Sequence, residues 1–216
     1  MSQGITAITA IVFVRLLTTE EYGYVSVYSA WVSIVSVFIS LRTDGTIQMA
    51  MTKYGKEKID QYSSCALTIS WLFFAGALFI VLILWQIDCT MFNQPFWYVV
   101  LVLAHSFGSA CLKFRSAYYA ITKEAFKDMV VSLAVSVLSF GSAVLLVLVM
   151  PSNKEIGRMV GFAFSNLLLG VGFAVLMLYK GKRFFDKEYY CFCCRLAFPL
   201  IFSGLSSVVI AQSDRL

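Results

Sequence analysis

Seven long apolar runs, separated by short polar segments, are the feature that most limits how this chain can fold. A helix rises about 1.5 Å per residue, so about 20 apolar residues are needed to cross the roughly 30 Å hydrocarbon core of a bilayer. Six of the runs reach or nearly reach that length, whereas the first is too short. We place the runs at residues 4–17, 24–41, 64–86, 96–114, 129–150, 157–179 and 196–212.

The composition argues against a water-soluble domain. Apolar residues make up 60% of the 216 positions and charged residues 13%, whereas soluble domains have about 45–50% and about 25%. A folded chain of this size still exposes about a quarter or more of its surface, so one core cannot hide this much apolar material. The sequence therefore predicts an all-α fold, a polytopic membrane helix bundle of about seven transmembrane helices.

The first run begins almost at Met1, where a signal peptide is the competing interpretation. No Lys or Arg precedes the run, and no small-residue cleavage site follows it. We therefore interpret this run as a first transmembrane helix that lacks its opening turns.

Basic residues are distributed unevenly between the loops. If the N-terminus is cytoplasmic and the loops alternate, 13 of the 17 basic residues lie on the cytoplasmic side, as the positive-inside rule expects. They are Arg42, Lys53, Lys56, Lys58, Lys113, Arg115, Lys123, Lys127, Lys180, Lys182, Arg183, Lys187 and Arg195. No basic patch is interleaved with aromatic residues on a soluble face, so the net charge of +5 indicates topology and not nucleic-acid binding.

The segment V-R-L-L-T-T-E-E-Y-G joins the first two runs and predicts an outward-facing turn. Thr18 or Thr19 can cap the second helix, with Glu20 and Glu21 in its first turn at the positive end of the helix dipole. Arg15 lies about one turn inside the membrane edge, either as an interfacial residue that reaches back to water or as a functional cation.

Small polar residues form stripes along three of the predicted helices. The second run carries Ser26, Ser29, Ser33, Ser36 and Ser40 at helical spacing. This stripe indicates either close helix packing or a polar lining for a hydrophilic cargo. The stripes Ser132/Ser136/Ser139 and Gly157/Gly161/Ser165 are more typical of contacts between helices.

Other polar residues lie within the predicted spans. His105 is the only histidine, and it is either a hydrogen-bonded packing residue or a functional group. Lys113 and Arg115 are either interfacial anchors or contacts for a substrate phosphate. As candidate cavity-lining residues we take Ser26, Ser33, Ser40, His105 and Asn166.

Motifs for catalysis are absent from the sequence. It contains no Walker loop, no H-E-x-x-H and no G-x-S-x-G. The C-F-C-C segment lacks the four clustered ligands that zinc requires. We interpret the six cysteines as reduced thiols, with Cys89 alone on the outer side, and predict no metal, no cofactor and no enzymatic activity.

Four stretches, taken in order, resemble those of a known transporter family. They are R-L-L-T-T-E-E-Y-G-Y, R-T-D-G-T-I-Q-M-A-M-T-K-Y-G, L-K-F-R-S-A-Y-Y-A-I-T-K and F-P-L-I-F-S-G-L-S-S-V-V-I-A-Q-S-D-R-L. Their order and spacing resemble those of the polysaccharide flippases, the O-antigen and capsule exporters of the multidrug/oligosaccharidyl-lipid/polysaccharide superfamily. Within this resemblance, the second stretch corresponds to a glycine-containing turn and a basic helix, and the last to a proline-bearing seventh helix.

The resemblance implies two pseudo-symmetric lobes of about six helices each around a cavity that opens alternately to the two faces. Residues 1–195 would form the first lobe, and residues 196–216 would begin the second. Family members usually run to twice this length, so we expect either a missing C-terminal half or a homodimer to complete the cavity. The membrane would be the bacterial inner (cytoplasmic) membrane.

The resemblance also implies a cargo, an undecaprenyl-pyrophosphate-linked oligosaccharide that moves from the inner to the outer leaflet. The partners would then be this lipid-linked oligosaccharide and the membrane lipids. Arginine suits a pyrophosphate because its guanidinium forms bidentate hydrogen bonds. By position, the expected substrate-binding residues are Arg15, Arg42 and Arg115, whereas Asp214 and Arg215 are expected to pair with each other or to cap a helix.

Three other functions compete with this interpretation. A drug/cation antiporter of the same superfamily would need a carboxylate deep in the first lobe, but Asp44 is predicted at a membrane edge and Asp88 in an outer loop. A membrane polymerase or acyltransferase would be expected to have a large outer loop or a His/Asp pair. A non-transporting membrane scaffold stays open.

Overall fold

A computed structural model describes Thr9 and residues 11–86, 95–150 and 153–212, and these ranges are helical without strands. The described end of the first helix, α1, covers residues 11–16. The remaining helices are α2 (Thr19–Ser40), α3 (Thr43–Tyr54), α4 (Ile59–Gln86), α5 (Phe96–Thr122), α6 (Ala125–Val149), α7 (Lys154–Gly181) and α8 (Lys187–Gln212). The predictions for Asp88, Cys89, Asp214 and Arg215, and for residues 4–8 and 10 of run 4–17, fall outside the described residues.

Six segments in the described ranges are long and apolar enough to cross a membrane. They are α2 together with α3, and then α4, α5, α6, α7 and α8. This confirms the predicted polytopic helix bundle. Pro199 lies inside α8, as the resemblance implied.

Most of these helices extend beyond their apolar runs at the end where basic residues collect. For example, α5 continues to Thr122, and α8 begins at Lys187 instead of at 196. Backbone hydrogen bonds do not depend on side-chain polarity, so a helix continues through its charged end until a capping conformation stops it. The proposed lobe boundary at 195/196 therefore falls within α8, and the division into lobes stays a prediction.

The start of α2 confirms the predicted cap. The Thr18 backbone N–H donates to Glu21 Oε2 at 2.7 Å, and the Glu21 N–H donates to Thr18 Oγ1 at 3.3 Å. This reciprocal pair is a capping box, which satisfies two donors that the first helical turn leaves without intrahelical partners.

The chain breaks sharply between α2 and α3. Leu41 and Arg42 both adopt left-handed backbone conformations, with φ of 46° and 54°. The Arg42 N–H donates to Ser40 Oγ at 3.1 Å, and the Gly45 N–H donates to the Arg42 carbonyl at 3.0 Å. This two-residue turn ends α2 and starts α3, so it fixes the direction in which the Arg42 side chain leaves the backbone.

Small residues form the contacts of α7 with α5 and α6, as their stripes predicted. A Cβ at Gly161 would lie 2.5 Å from Ala143 Cα, and one at Gly170 would lie 2.5 Å from the Gly108 carbonyl oxygen. Ser142 Oγ on α6 also donates to the Gly161 carbonyl at 2.9 Å. These backbones approach closely because no side chain separates them.

Two polar clusters identify the ends of the bundle. At the end that we call the basic end, Lys180 Nζ lies 3.0 Å from Asp60 Oδ2 and donates to Tyr118 Oη at 2.9 Å, which joins α4, α5 and α7. At the opposite end, Lys154 Nζ donates to the Leu16 carbonyl at 3.3 Å. The basic end therefore contains the end of α2, all of α3 and the start of α8.

Candidate functional site

An open groove of about 520 Å³ lies at the basic end, between the α2–α3 turn, α5 and α6. It contains three cations and one lining carboxylate, together with several hydroxyl groups. The charged lining residues are Arg42, Asp44, Lys113 and Arg115, and the hydroxyls belong to Ser116, Ser132 and Ser136. This concentration of hydrogen-bond donors makes the groove the strongest candidate site for a charged ligand.

Arg42 is held at the groove by the left-handed turn and by α8. Its side chain runs against Gly204, where an added Cβ would lie 2.9 Å from Arg42 Cδ. The Nε atom is buried and has no hydrogen-bond partner, and neither has Asp44 Oδ1. No carboxylate of the described residues lies within 4 Å of the Arg42 guanidinium. Arg42 therefore brings positive charge to the groove without an ion-pair partner among the described residues.

Lys113 connects the groove to the serine stripe of α2. Its Nζ donates to Ser36 Oγ at 3.1 Å, while the Ser36 hydroxyl donates to the Ser33 carbonyl at 2.8 Å. The side chain of Lys113 is exposed and interacts electrostatically with both Asp44 and Arg42. Its ammonium can thus reorient toward a ligand with the loss of one hydrogen bond.

Arg115 is the buried member of the group, only 2% exposed. Its Nη2 lies 3.2 Å from Asp128 Oδ1 and 2.9 Å from Ser132 Oγ, both on α6. Ser116 Oγ donates to the same Asp128 oxygen at 3.0 Å. Nε and Nη1 have no hydrogen-bond partners. Asp128 offsets much of the Arg115 charge, so Arg115 mainly orders the groove wall and has two further donors.

The groove as a whole favours an oxyanion. Arg42 and Lys113 lack ion-pair partners among the described residues, and Asp128 is the only carboxylate among them paired with Arg115. Guanidinium and ammonium groups form short, charge-assisted hydrogen bonds to phosphate and carboxylate oxygens. An Arg side chain can do so in bidentate geometry.

Comparison with known families decides the wider identity. The family model described as polysaccharide biosynthesis protein matches residues 1–216. This chain belongs to the polysaccharide biosynthesis protein family. No curated protein and no solved structure matches it.

The resemblance noted in the sequence is therefore confirmed at the level of the family. Membership of the polysaccharide biosynthesis protein family, together with six apolar helices, describes a multi-pass membrane protein connected with polysaccharide synthesis.

The structure brings together two of the three arginines predicted to bind substrate. Arg42 and Arg115 both line the groove. Arg15 instead lies beyond the other end of α2, with an exposed side chain. The 22 residues of α2 correspond to about 33 Å of helix, so Arg15 does not share a site with the other two.

The candidate cavity-lining residues are spread over the interior of the bundle. Ser40 is buried next to the α2–α3 turn, whereas Ser26 and Ser33 are half-buried along α2. His105 lines a separate small cavity at the opposite end, and Asn166 is hydrogen-bonded to it. Their exposure to a cargo stays a prediction.

The surroundings of His105 favour its packing role. Asn166 Nδ2 donates to the Phe162 carbonyl at 3.0 Å and lies 3.1 Å from His105 Nε2. Since Nε2 thus faces a donor, the proton of a neutral ring is assigned to Nδ1, which lies 2.9 Å from Tyr28 Oη. His105 therefore joins α2, α5 and α7 through hydrogen bonds.

No group of three or more His, Cys, Asp or Glu residues that could hold a metal ion occurs within the described ranges. The candidate site is thus built from cations and hydroxyls. Sequence reasoning did not identify Ser132 as part of the groove, nor Ser36 and Asp128 as the partners of Lys113 and Arg115. The available signal was the spacing of Asp128, Ser132 and Ser136, which places all three on one face of α6.

Proposed function

We propose that this protein takes part in moving a lipid-linked oligosaccharide from the cytoplasmic to the outer leaflet during synthesis of a cell-surface polysaccharide. The observation that carries the proposal is the cationic groove of Arg42, Lys113 and Arg115 in a multi-pass member of the polysaccharide biosynthesis protein family. The undecaprenyl pyrophosphate carrier and the O-antigen or capsule product belong to this proposal.

The chemistry of the groove suits the pyrophosphate that joins the lipid to the sugar. Arg42 and Lys113 supply positive charge without an ion-pair partner within 4 Å among the described residues, and Arg115 supplies two donors without partners. A volume of about 520 Å³ is enough for a diphosphate with its first sugar. The lipid tail would stay in the bilayer, while Arg15, exposed at the opposite end, would meet the headgroup only on its release side.

The orientation follows from the charge distribution and is part of the same proposal. The positive-inside rule places the basic end in the cytoplasm of a bacterial cell, with the N-terminus on the same side of the inner membrane. The groove would then face the leaflet in which the lipid-linked precursor is made. A C-terminal half or a second copy of the chain would provide the facing wall of a transport path.

The test is export in cells that depend on this protein, measured as surface polysaccharide at equal membrane abundance. We expect Arg42→Gln and Lys113→Gln to lower export at least several-fold, because each removes a cation that has no ion-pair partner among the described residues. Lys56→Gln is the matched control, since Lys56 is an exposed cation at the same end. Normal export by both groove variants would contradict a cargo-binding role and would leave a scaffold.

Asp44 separates this proposal from a cation antiporter. For an anionic cargo, Asp44→Asn removes a repulsive charge from the groove, so export should be kept or improved. An antiporter that binds its cation at Asp44 would lose transport with the same substitution. Loss of export in Asp44→Asn with Arg42→Gln unaffected would therefore favour the antiporter.

A further inference from the structure

A small cavity lies at the opposite end of the bundle from the cationic groove. It has a volume of about 80 Å³ and lies between α2, α5 and α7. Its polar lining residues are Tyr28, Ser29, His105 and Arg158, and Met159 and Phe162 supply apolar surface. No carboxylate of the described residues lines it.

Arg158 is the unusual member of this lining. Its guanidinium carbon lies 4.3 Å from the centre of the Phe13 ring and 5.1 Å from that of Tyr22. Nε and Nη1 are buried without hydrogen-bond partners. No described carboxylate lies within 4 Å of the guanidinium. The aromatic rings attract the cation but leave these N–H groups unsatisfied.

The guanidinium also forms a side-chain hydrogen bond with Tyr22, so the unsatisfied groups are Nε–H and the Nη1 hydrogens. Buried donors without partners are unfavourable unless a ligand pairs with them. Arg158 lies four residues from Lys154, the first residue of α7, which corresponds to about 6 Å along the helix. Ionisable groups within membrane spans normally pair with each other or mark a functional path. Simple interfacial anchoring would direct the guanidinium to water, whereas these two nitrogens are buried.

The neighbouring hydrogen-bond pattern leaves a second donor free. With the proton of neutral His105 assigned to Nδ1, as the contact of Nε2 with Asn166 Nδ2 favours, Nδ1–H donates to Tyr28 Oη. The Tyr28 hydroxyl proton is then available. The hydroxyl of Ser29 is occupied, since it donates to the Val25 carbonyl at 2.8 Å. The free hydrogens at the cavity therefore come from Arg158 and Tyr28.

We propose that this cavity is a second oxyanion site, which binds one phosphate-class group through Arg158 and Tyr28. A water molecule needs about 10–15 Å³ of such volume, so about 80 Å³ accommodates a phosphate group but not a sugar. The nature of the anion rests on the proposed function, in which the lipid pyrophosphate passes from the groove to this end. A free phosphate ion has the same chemistry, and the experiment distinguishes these two sources.

The experiment uses the full chain in a non-ionic detergent and follows its thermal unfolding temperature with added anion. Inorganic phosphate and farnesyl diphosphate are the two probes, and sodium chloride at equal ionic strength and farnesol are the blanks. The double variant Arg42→Gln/Lys113→Gln serves as the background protein, so that anion binding by the groove does not contribute to the signal. In that background we expect saturable stabilisation, with an apparent Kd weakened about tenfold or more by Arg158→Gln.

Two conservative variants keep the test informative if Arg158→Gln does not fold. Arg158→Lys retains the charge and should bind more weakly than the parent but better than Arg158→Gln. Tyr28→Phe retains the ring but removes both the proposed donor and the acceptor of the His105 Nδ1–H. It should therefore lower the unfolding temperature of the unliganded protein and, in addition, weaken anion binding several-fold, which the apparent Kd measures separately. Stabilisation by farnesyl diphosphate alone identifies a lipid-linked anion, and stabilisation by inorganic phosphate alone identifies free phosphate. If both probes stabilise the protein, the probe with the lower apparent Kd identifies the source.

Equal binding by the background protein and its Arg158 and Tyr28 variants would overturn this proposal, as would an absence of saturable binding in the background. Failure of the groove has a different signature. In an Arg158→Gln protein, the remaining anion binding is attributed to the groove. If adding Arg42→Gln and Lys113→Gln to this protein does not weaken anion binding further, the cargo-binding role of the groove fails while the second site stands.

Discussion

At the scale of single residues, Arg115 and Asp128 illustrate how a buried charge is held at the groove. The Arg115 side chain is almost fully buried, whereas the Asp128 side chain is 31% exposed. Removing one partner of a buried ion pair leaves an uncompensated charge, which is usually far more harmful than loss of an exposed pair. The exposed pair Lys127–Glu124, at 2.9 Å, provides a direct comparison on the same helix.

Asp128→Asn is therefore expected to destabilise the protein by about 1–3 kcal/mol, since the amide still accepts one hydrogen bond but no longer offsets the charge. Glu124→Gln should change stability by less than about 1 kcal/mol. Thermal unfolding in detergent measures both. Equal effects of the two substitutions on the unfolding temperature would mean that Asp128 does not stabilise the buried charge of Arg115.

The capping residue of α2 gives a second comparison between neighbours. Thr18→Ala removes the side-chain oxygen that accepts the Glu21 N–H and should cost about 1 kcal/mol. Thr19→Ala is the control, because Thr19 is already the first residue of the helix. Hydrogen exchange of the Glu21 amide should accelerate in Thr18→Ala alone, and an unchanged rate would contradict the cap.

At the scale of helices, the contact of α6 with α7 depends on the absence of side chains. Gly161 meets the backbone of Ala143, whereas a Cβ added at Gly172 on the same helix would meet no neighbouring heavy atom within 4 Å. The two glycines therefore have the same intrinsic helix propensity but opposite surroundings.

Gly161→Ala should destabilise the bundle by about 1–3 kcal/mol because the helices must move apart. Gly172→Ala should be neutral or stabilising by up to about 1 kcal/mol, since alanine favours the helix. The fraction of monodisperse protein after heating, followed by size-exclusion chromatography, distinguishes the two. No loss of stability in Gly161→Ala would show that α6 and α7 can move apart at a lower cost than their close contact indicates.

Helix-scale features also mark what the sequence could and could not predict. Apolar run length located the spans, and the two threonines before Glu20 and Glu21 predicted the start of α2, because both signals are local. Only the structure shows that Thr18, and not Thr19, is the cap. The pairing of Arg115 with Asp128 was not predictable, since it depends on how α5 and α6 are rotated about their axes. Arg158 was counted only as an outer charge, because its aromatic neighbours Phe13 and Tyr22 lie far away in the chain.

At the scale of the whole molecule, the two ends differ in charge, and the described thiols differ in exposure. Cys191 and Cys194 are exposed on α8 near the basic end, whereas Cys65, Cys111 and Cys193 are buried. The exposed pair therefore reports which side of the membrane the basic end faces.

In a Cys89→Ser protein, a membrane-impermeant maleimide added to intact cells should leave Cys191 and Cys194 unlabelled, and permeabilisation should allow labelling. This result follows if the basic end is cytoplasmic. Cys191→Ser with Cys194→Ser is the control for specificity. Labelling of these two residues in intact cells would reverse the proposed orientation.

The left-handed turn at Leu41 and Arg42 has a thermodynamic consequence for the whole assembly. Such conformations cost roughly 1 kcal/mol or more for residues other than glycine, so a glycine at 42 would form the turn more readily but would bring no charge to the groove. An anion that binds Arg42 only when the turn is formed stabilises the turn by the free energy of that binding. Ligand occupancy should thus appear as slower hydrogen exchange at the Gly45 amide, which is bonded to the Arg42 carbonyl.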